Sequence, residues 1–144
     1  MKFVIDRATW LNASTKNILG FSLLENEDGC RCCIGFVCHQ LGVPSESMRH
    51  IETPSNMLEG VLSAYSEPLL TNDILTKVKN DDYGDAHDQL MNSHLVREAI
   101  SYNDSPMFSK EQRERNLRQL FAKHGHEIEF TGNYPEDTKE NQCN

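Results

Sequence analysis

A chain of 144 residues is long enough to enclose one hydrophobic core without disulfides or metal ions, and it fits a single domain. With 38% hydrophobic and 25% charged residues it is polar for a globular protein but too apolar for a disordered one. A formal charge of −8 opposes non-specific binding to nucleic acids and anionic membranes, which rules against both as partners.

No apolar run approaches the roughly 18 residues of a transmembrane helix, and Asp6 interrupts the first apolar run too early for a signal peptide. Five cysteines, two of them adjacent, do not form the spaced, even set of a secreted disulfide framework. Reduced thiols and a cytoplasmic location are therefore expected.

Phe3, Val4 and Ile5 predict a short strand, and Asp6 is placed to cap a following turn that lays Trp10 against the core. Residues 12–16 predict a loop, and the apolar stretch from Ile18 to Leu24 a second strand. Asp28-Gly29 predicts a tight hairpin turn, because glycine takes the positive φ such turns need. Cys33, Phe36, Val37 and Leu41 then share one face of a short buried helix, which Gly42 caps and Pro44 stops. The rest of the chain is expected to pack around that helix.

Pro54, Gly60 and Pro68 punctuate residues 45–82 into short pieces. Helical turns are expected at about 47–51 and 56–65, and Leu69-Leu70 as an edge strand or a core contact. The polar run from Lys77 to Asp85 predicts an exposed loop. Leu90, Met91, His94, Leu95 and Ala99 predict an amphipathic helix over about 87–102, broken by Asn103-Asp104-Ser105-Pro106.

Ser109 and Gln112 have the spacing of a capping box that opens a second helix, with Leu117, Leu120 and Phe121 inward and Gly125 closing it. The alternation from His126 to Phe130 predicts a half-buried strand. Residues 132–144, which carry Cys143, predict a disordered acidic tail. Residues 1–131 thus form one α+β domain. A small, mainly antiparallel sheet, with the first and last strands and the Asp28-Gly29 hairpin, packs against about three helices.

Three groups of segments carry a resemblance. They are Phe3 to Leu11; Asp28-Gly29 with Cys32-Cys33-Ile34-Gly35-Phe36; and Ala99 to Asp104 with Ser109, Arg113-Glu114, Leu120-Phe121-Ala122, Gly125 and Glu127 to Phe130. Together they resemble a family of small bacteriophage and prophage proteins. The resemblance implies a phage or prophage origin and brings no activity with it. Residues 45–95 depart from it, which suggests a region where a partner is read.

Cys30, Cys32, Cys33, Cys38 and His39 offer metal ligands within ten residues. Structural zinc wants two ligand pairs on separate knuckles. Here every ligand lies on one turn and one helix, so neither a metal nor another cofactor is expected. Cys33 to Val37, followed by Leu41-Gly42-Val43-Pro44, resembles the nucleophile segment of the NlpC/P60 cell-wall peptidases. That resemblance implies Cys33 as nucleophile, and His126, which opens a strand, as the available base. Cys32 and Ile34 stand where that family has aspartate and serine.

Asn103 and Asp104 are a candidate pair for binding a ligand's hydroxyl or amine, and equally ordinary turn residues. The run Lys110 to Arg115 predicts a solvated helix face. No phosphate loop or paired catalytic carboxylate is present.

The leading expectation is a non-catalytic phage or prophage accessory protein of the host bacterial cytoplasm. It would sequester a host protein or a small signalling molecule, as counter-defence proteins do. A cysteine hydrolase built on Cys33 is one alternative. A structural or virion-associated protein that assembles as a homo-oligomer is another.

Overall fold

The computed structural model describes residues 1–14, 22–79 and 88–135. Strands β1 (Lys2–Asp6) and β4 (Glu127–Thr131) pair in parallel, with Phe3 opposite Ile128 and Ile5 opposite Phe130. Side chains alternate across a strand, so these four apolar residues are all buried on the inner face. Lys2, Val4 and Glu127 turn to solvent, and Lys2 forms an ion pair with Glu129 on that side.

Parallel strands cannot be joined by a hairpin and need a long crossover. The crossover contains the helices that cover the inner face: α1 (Cys33–Gln40), α4 (His94–Asp104) and α5 (Lys110–Lys123). α1 packs on β1, α5 on β4, and α4 on both helices.

Helix α1 is buried from Cys33 to Cys38. Cys32 caps it, its Sγ accepting from the Gly35 amide at 3.4 Å, and Gly42 follows its end at φ +99°. Gln40 reaches sideways to the free edge of β1. The Val4 amide donates to its Oε1 at 2.8 Å, and its Nε2 donates to the Val4 carbonyl at 2.7 Å. A side-chain amide thereby stands in for a neighbouring strand.

The expected α+β class is what the chain forms, with two separate strand pairs, one parallel and one antiparallel. The antiparallel pair comes from the least legible stretch. β2 (Leu75–Lys79) and β3 (Asp88–Asn92) pair with Leu75 opposite Asn92. Lys77 to Lys79 therefore lie in a strand, where a loop was expected, and residues 80–85 fall outside the described residues.

Leu90 and Met91 belong to β3, where the expected helix had claimed them. That helix starts only at His94, because the Ser93 hydroxyl accepts from the Val96 amide at 3.1 Å and caps it there. It also runs on through Asn103-Asp104, which were expected to break it. Before β2 come α2 (Ser45–Met48), a 3-10 turn at Pro54–Asn56 and α3 (Glu59–Thr71). α3 continues through Pro68 and buries Leu69 as a core contact.

Asp28-Gly29 does turn the chain, but it joins no ladder. Asn26 Oδ1 accepts from the amides of Asp28 and Cys30, both at 3.0 Å, so the turn is closed by its own side chain. Near it only isolated bridges occur, Trp10 with Arg31 and Glu25 with Arg49. Residues 18–21 of the strand expected at Ile18–Leu24 lie outside the described residues, and 22–24 form no strand. At the other end, the chain past residue 131 brings Tyr134 against the core, near Trp10. Residues 136–144, including Cys143, lie outside the described residues. Among the described residues no helix is long and apolar enough to cross a membrane.

Residues 22–25 cross α1 at backbone contact. A Cβ on Gly35 would lie 1.8 Å from the Leu24 carbonyl oxygen, and the Leu24 amide is itself tied to the Ile51 carbonyl at 2.8 Å. Gly35→Ala should therefore cost at least ~3 kcal/mol or abolish folding. Gly60→Ala, in open space within α3, should stabilise by up to ~1 kcal/mol. Urea denaturation of both variants checks the pair.

Candidate anion-binding site

The cysteine segment is a structural core. Cys32, Cys33 and Cys38 are free and buried. Burial, then the neighbouring Cys32 and Asp104, pushes the Cys33 thiol well above its usual value, and burial pushes Cys32 up to about 12. Cys33 Sγ lies 3.7 Å from the Ala99 carbonyl. Cys30 is disulfide-bonded, so the expectation of reduced thiols fails there.

His126 is not brought to Cys33. Its Nδ1 sits 3.2 Å from the Met1 amine at the start of β1, whereas the Cys33 amide is bonded to Asn103, which also holds the Trp10 indole. Cys33 should resist iodoacetamide at pH 8 in the native protein and react once guanidinium unfolds it. Native labelling at the rate of a free thiol would contradict the burial.

Asn103 and Asp104 sit together at the end of α4 and are consumed by the protein. Asn103, 1% exposed, accepts at Oδ1 from Trp10 Nε1 at 2.8 Å and from the Cys33 amide at 3.1 Å. The two hydrogens of its Nδ2 are shared among three acceptors, the Leu11 carbonyl at 2.9 Å, Ser22 Oγ at 3.1 Å and Asp104 Oδ1 at 2.8 Å. Asp104 Oδ2 takes the Ser22 amide at 3.0 Å.

This pair joins the chain after β1, the start of α1 and the end of α4, and Asn103 has no capacity left for a ligand. Each buried group orphaned by its loss costs ~1–3 kcal/mol, so Asn103→Ala should lose at least ~3 kcal/mol. Asn103→Asp keeps the acceptors but cannot donate to Leu11, and chemical denaturation should show that it fails to rescue.

The charged run of α5 is not a simple solvated face, because Arg113 and Glu114 are buried. The Arg113 guanidinium donates to the carbonyls of Tyr102 (3.2 Å), Ser105 (2.9 Å) and Phe108 (3.0 Å), and to Asn12 Oδ1 at 3.4 Å. Backbone oxygens thus solvate the buried charge and lock the turn between α4 and α5.

Glu114 faces the other way, into an open cleft of about 690 Å³ beyond the carboxyl ends of β1 and β4. Parallel pairing puts those two ends together. The chain leaving β1 supplies Arg7, the chain leaving β4 supplies Gly132 to Tyr134, and α5 supplies Glu114, Arg115 and Arg118.

Arg7 grips Glu114 with two bonds, Nε to Oε1 at 2.6 Å and Nη2 to Oε2 at 3.0 Å. Its Nη1 donates to the carbonyls of Phe130 (3.3 Å) and Gly132 (3.0 Å), tying the strand ends to one guanidinium. The Tyr134 hydroxyl donates to Glu114 Oε1 at 2.5 Å. Burial and the Glu114 carboxylate push Tyr134 well above its ordinary value, which keeps the hydroxyl a donor.

Burial raises the Glu114 carboxyl, but the hydrogen bonds from Arg7 and Tyr134 and the charges of Arg7 and Arg118 outweigh it and hold the group low. The stability it contributes is present above the unfolded carboxyl value near ~4.3 and is lost as pH falls below that toward the folded value. Glu114→Gln should therefore flatten the acid limb of a stability-versus-pH curve between about pH 5 and 3.

Arg115 and Arg118 carry the remaining positive charge. Arg118 lies over the Phe130 ring at 5.1 Å, and its Nη2 is 3.5 Å from Glu114. Arg115 is exposed, and among the described residues no ion pair claims it. Three arginines face two glutamates, Glu111 and Glu114, so the cleft lining is net positive on a chain of charge −8.

Sequence reasoning missed this site. Its one visible trace is the pair Arg115 and Arg118, three apart on one helix. Among the described residues no cluster of histidine, cysteine or carboxylate side chains could hold a metal ion. No family model matches the chain, and neither the curated proteins nor the solved structures yield a similar protein.

Proposed function

We propose that this protein acts by binding, without a reaction of its own, and that it holds a small anionic molecule in the Arg7–Arg115–Arg118 cleft. The observation that carries this reading is the division of charge. Arg7 already neutralises Glu114 in a bidentate pair, and Arg115 and Arg118, one turn apart on α5, add cations that the protein does not fully use. Guanidinium forks match the geometry of carboxylates and phosphates. The resemblance of the two ends to phage and prophage proteins supports an accessory role in a host bacterium, where capture of a small signalling molecule would blunt a defence response. The burial of Cys33, which raises its thiol, speaks for binding over the hydrolase alternative.

Trp10 is the sole tryptophan, and its ring centroid lies 5.0 Å from Phe130 and 6.4 Å from Tyr134, so its fluorescence reports on the cleft wall. Adenosine monophosphate and citrate, titrated at low salt, should change that signal or release heat, and uncharged adenosine should not. Arg115→Ala combined with Arg118→Ala should weaken binding at least tenfold while leaving the fold intact. Absence of binding by both anions, or binding indifferent to the double variant, would contradict the reading.

A further inference from the structure

We propose that the outer edge of β2 accepts an acidic, extended segment of a partner protein as an added strand. The phase of the β2–β3 ladder sets the geometry. The Ser93 amide donates to the Ile74 carbonyl at 3.0 Å, just beyond the Leu75–Asn92 pair. In an antiparallel ladder hydrogen-bonded and non-hydrogen-bonded pairs alternate. Thr76 and Val78 therefore bond to Met91 and Gln89, and the amides and carbonyls of Lys77 and Lys79 point away from β3.

Among the described residues nothing pairs with those groups, and both lysines are exposed. The free edge of β1, by contrast, is closed by Gln40 at Val4. The edge of β1 is thus covered, whereas among the described residues that of β2 keeps unpaired peptide groups.

Side-chain chemistry selects the occupant. Lys77 and Lys79 project to one face of β2, and Thr76 and Val78 to the other. Val78 is 41% exposed, and Met91, diagonally across the ladder from it, is 47% exposed. A strand laid along this edge would meet positive charge on one face and apolar surface on the other. Its complement is a segment that alternates acidic and apolar residues.

Lysines on an edge disfavour pairing with the same edge of a second copy, because like charges would be opposed. They do not disfavour an acidic strand. Peptide hydrogen bonds would supply affinity and the alternating side chains specificity, as in other strand-addition complexes.

The test uses the full chain and a fluorescein-labelled Glu-Val-Glu-Val-Glu-Val peptide, read by anisotropy, with Lys-Val-Lys-Val-Lys-Val as the charge-reversed control. The acidic peptide should bind, and binding should fall at least tenfold in Lys77→Glu combined with Lys79→Glu. The same loss is expected when alternate peptide nitrogens on the pairing edge are methylated. Amide exchange at Lys77 and Lys79 should slow in the complex. No binding, equal binding of both peptides, binding unaffected by N-methylation in either register, or self-association through this edge would overturn the proposal.

Discussion

The parallel pairing of β1 with β4 is the constraint on which the structure depends. Two strands from opposite ends of the described chain lie side by side with Phe3, Ile5, Ile128 and Phe130 facing inward, so nearly everything else must serve as their crossover. Three helices of that crossover, α1, α4 and α5, cover the apolar face. The same pairing puts both carboxyl ends at one side of the molecule. Arg7 and Tyr134, distant in sequence, therefore meet over α5, and the cleft is a consequence of strand direction. In open parallel sheets the crevice beyond the carboxyl ends of the strands is the usual place for a ligand.

Asn103 secures that arrangement from within. One side-chain amide is bonded to the Trp10 indole, the first amide of α1 and the Leu11 carbonyl. It thereby fixes how the chain leaves β1 relative to both α1 and α4. Arg113 does related work one turn into α5, where three carbonyls and the Asn12 amide oxygen surround its guanidinium. Polar residues that look like surface chemistry in the sequence thus form the internal joints of the fold, and Cys32, Cys33 and Cys38 are buried free thiols beside them.

What was legible in the sequence was local. Asp6, Ser109 with Gln112, Gly42 and Gly125 act within a turn of their own positions, and their caps and turns form as expected. The apolar alternation of β1 and β4 was equally plain, because burial of one face leaves a period of two. The β2–β3 ribbon was hidden for the opposite reason. Its strand Leu75–Lys79 buries only Leu75, so no alternation marks it, and Leu90-Met91 fit a helix as well as a strand. The cleft was hidden because it depends on a pairing across the whole chain. No spacing in Lys110 to Arg115 reveals that Glu114 turns inward to Arg7 while Arg113 is drawn to the loop before α5. The Asn103-Asp104 pair was noticed, yet its chemistry is spent on the protein itself.

On the proposed reading, the charge of Arg115 and Arg118 is there for a ligand. The most direct measurement follows the arginine Nε–H resonances of the folded protein while adenosine monophosphate is added. Shifts at Arg115 and Arg118 that saturate together are expected, with Arg113 unmoved in its cage of carbonyl oxygens. Unchanged Arg115 and Arg118 resonances at saturating ligand would contradict it.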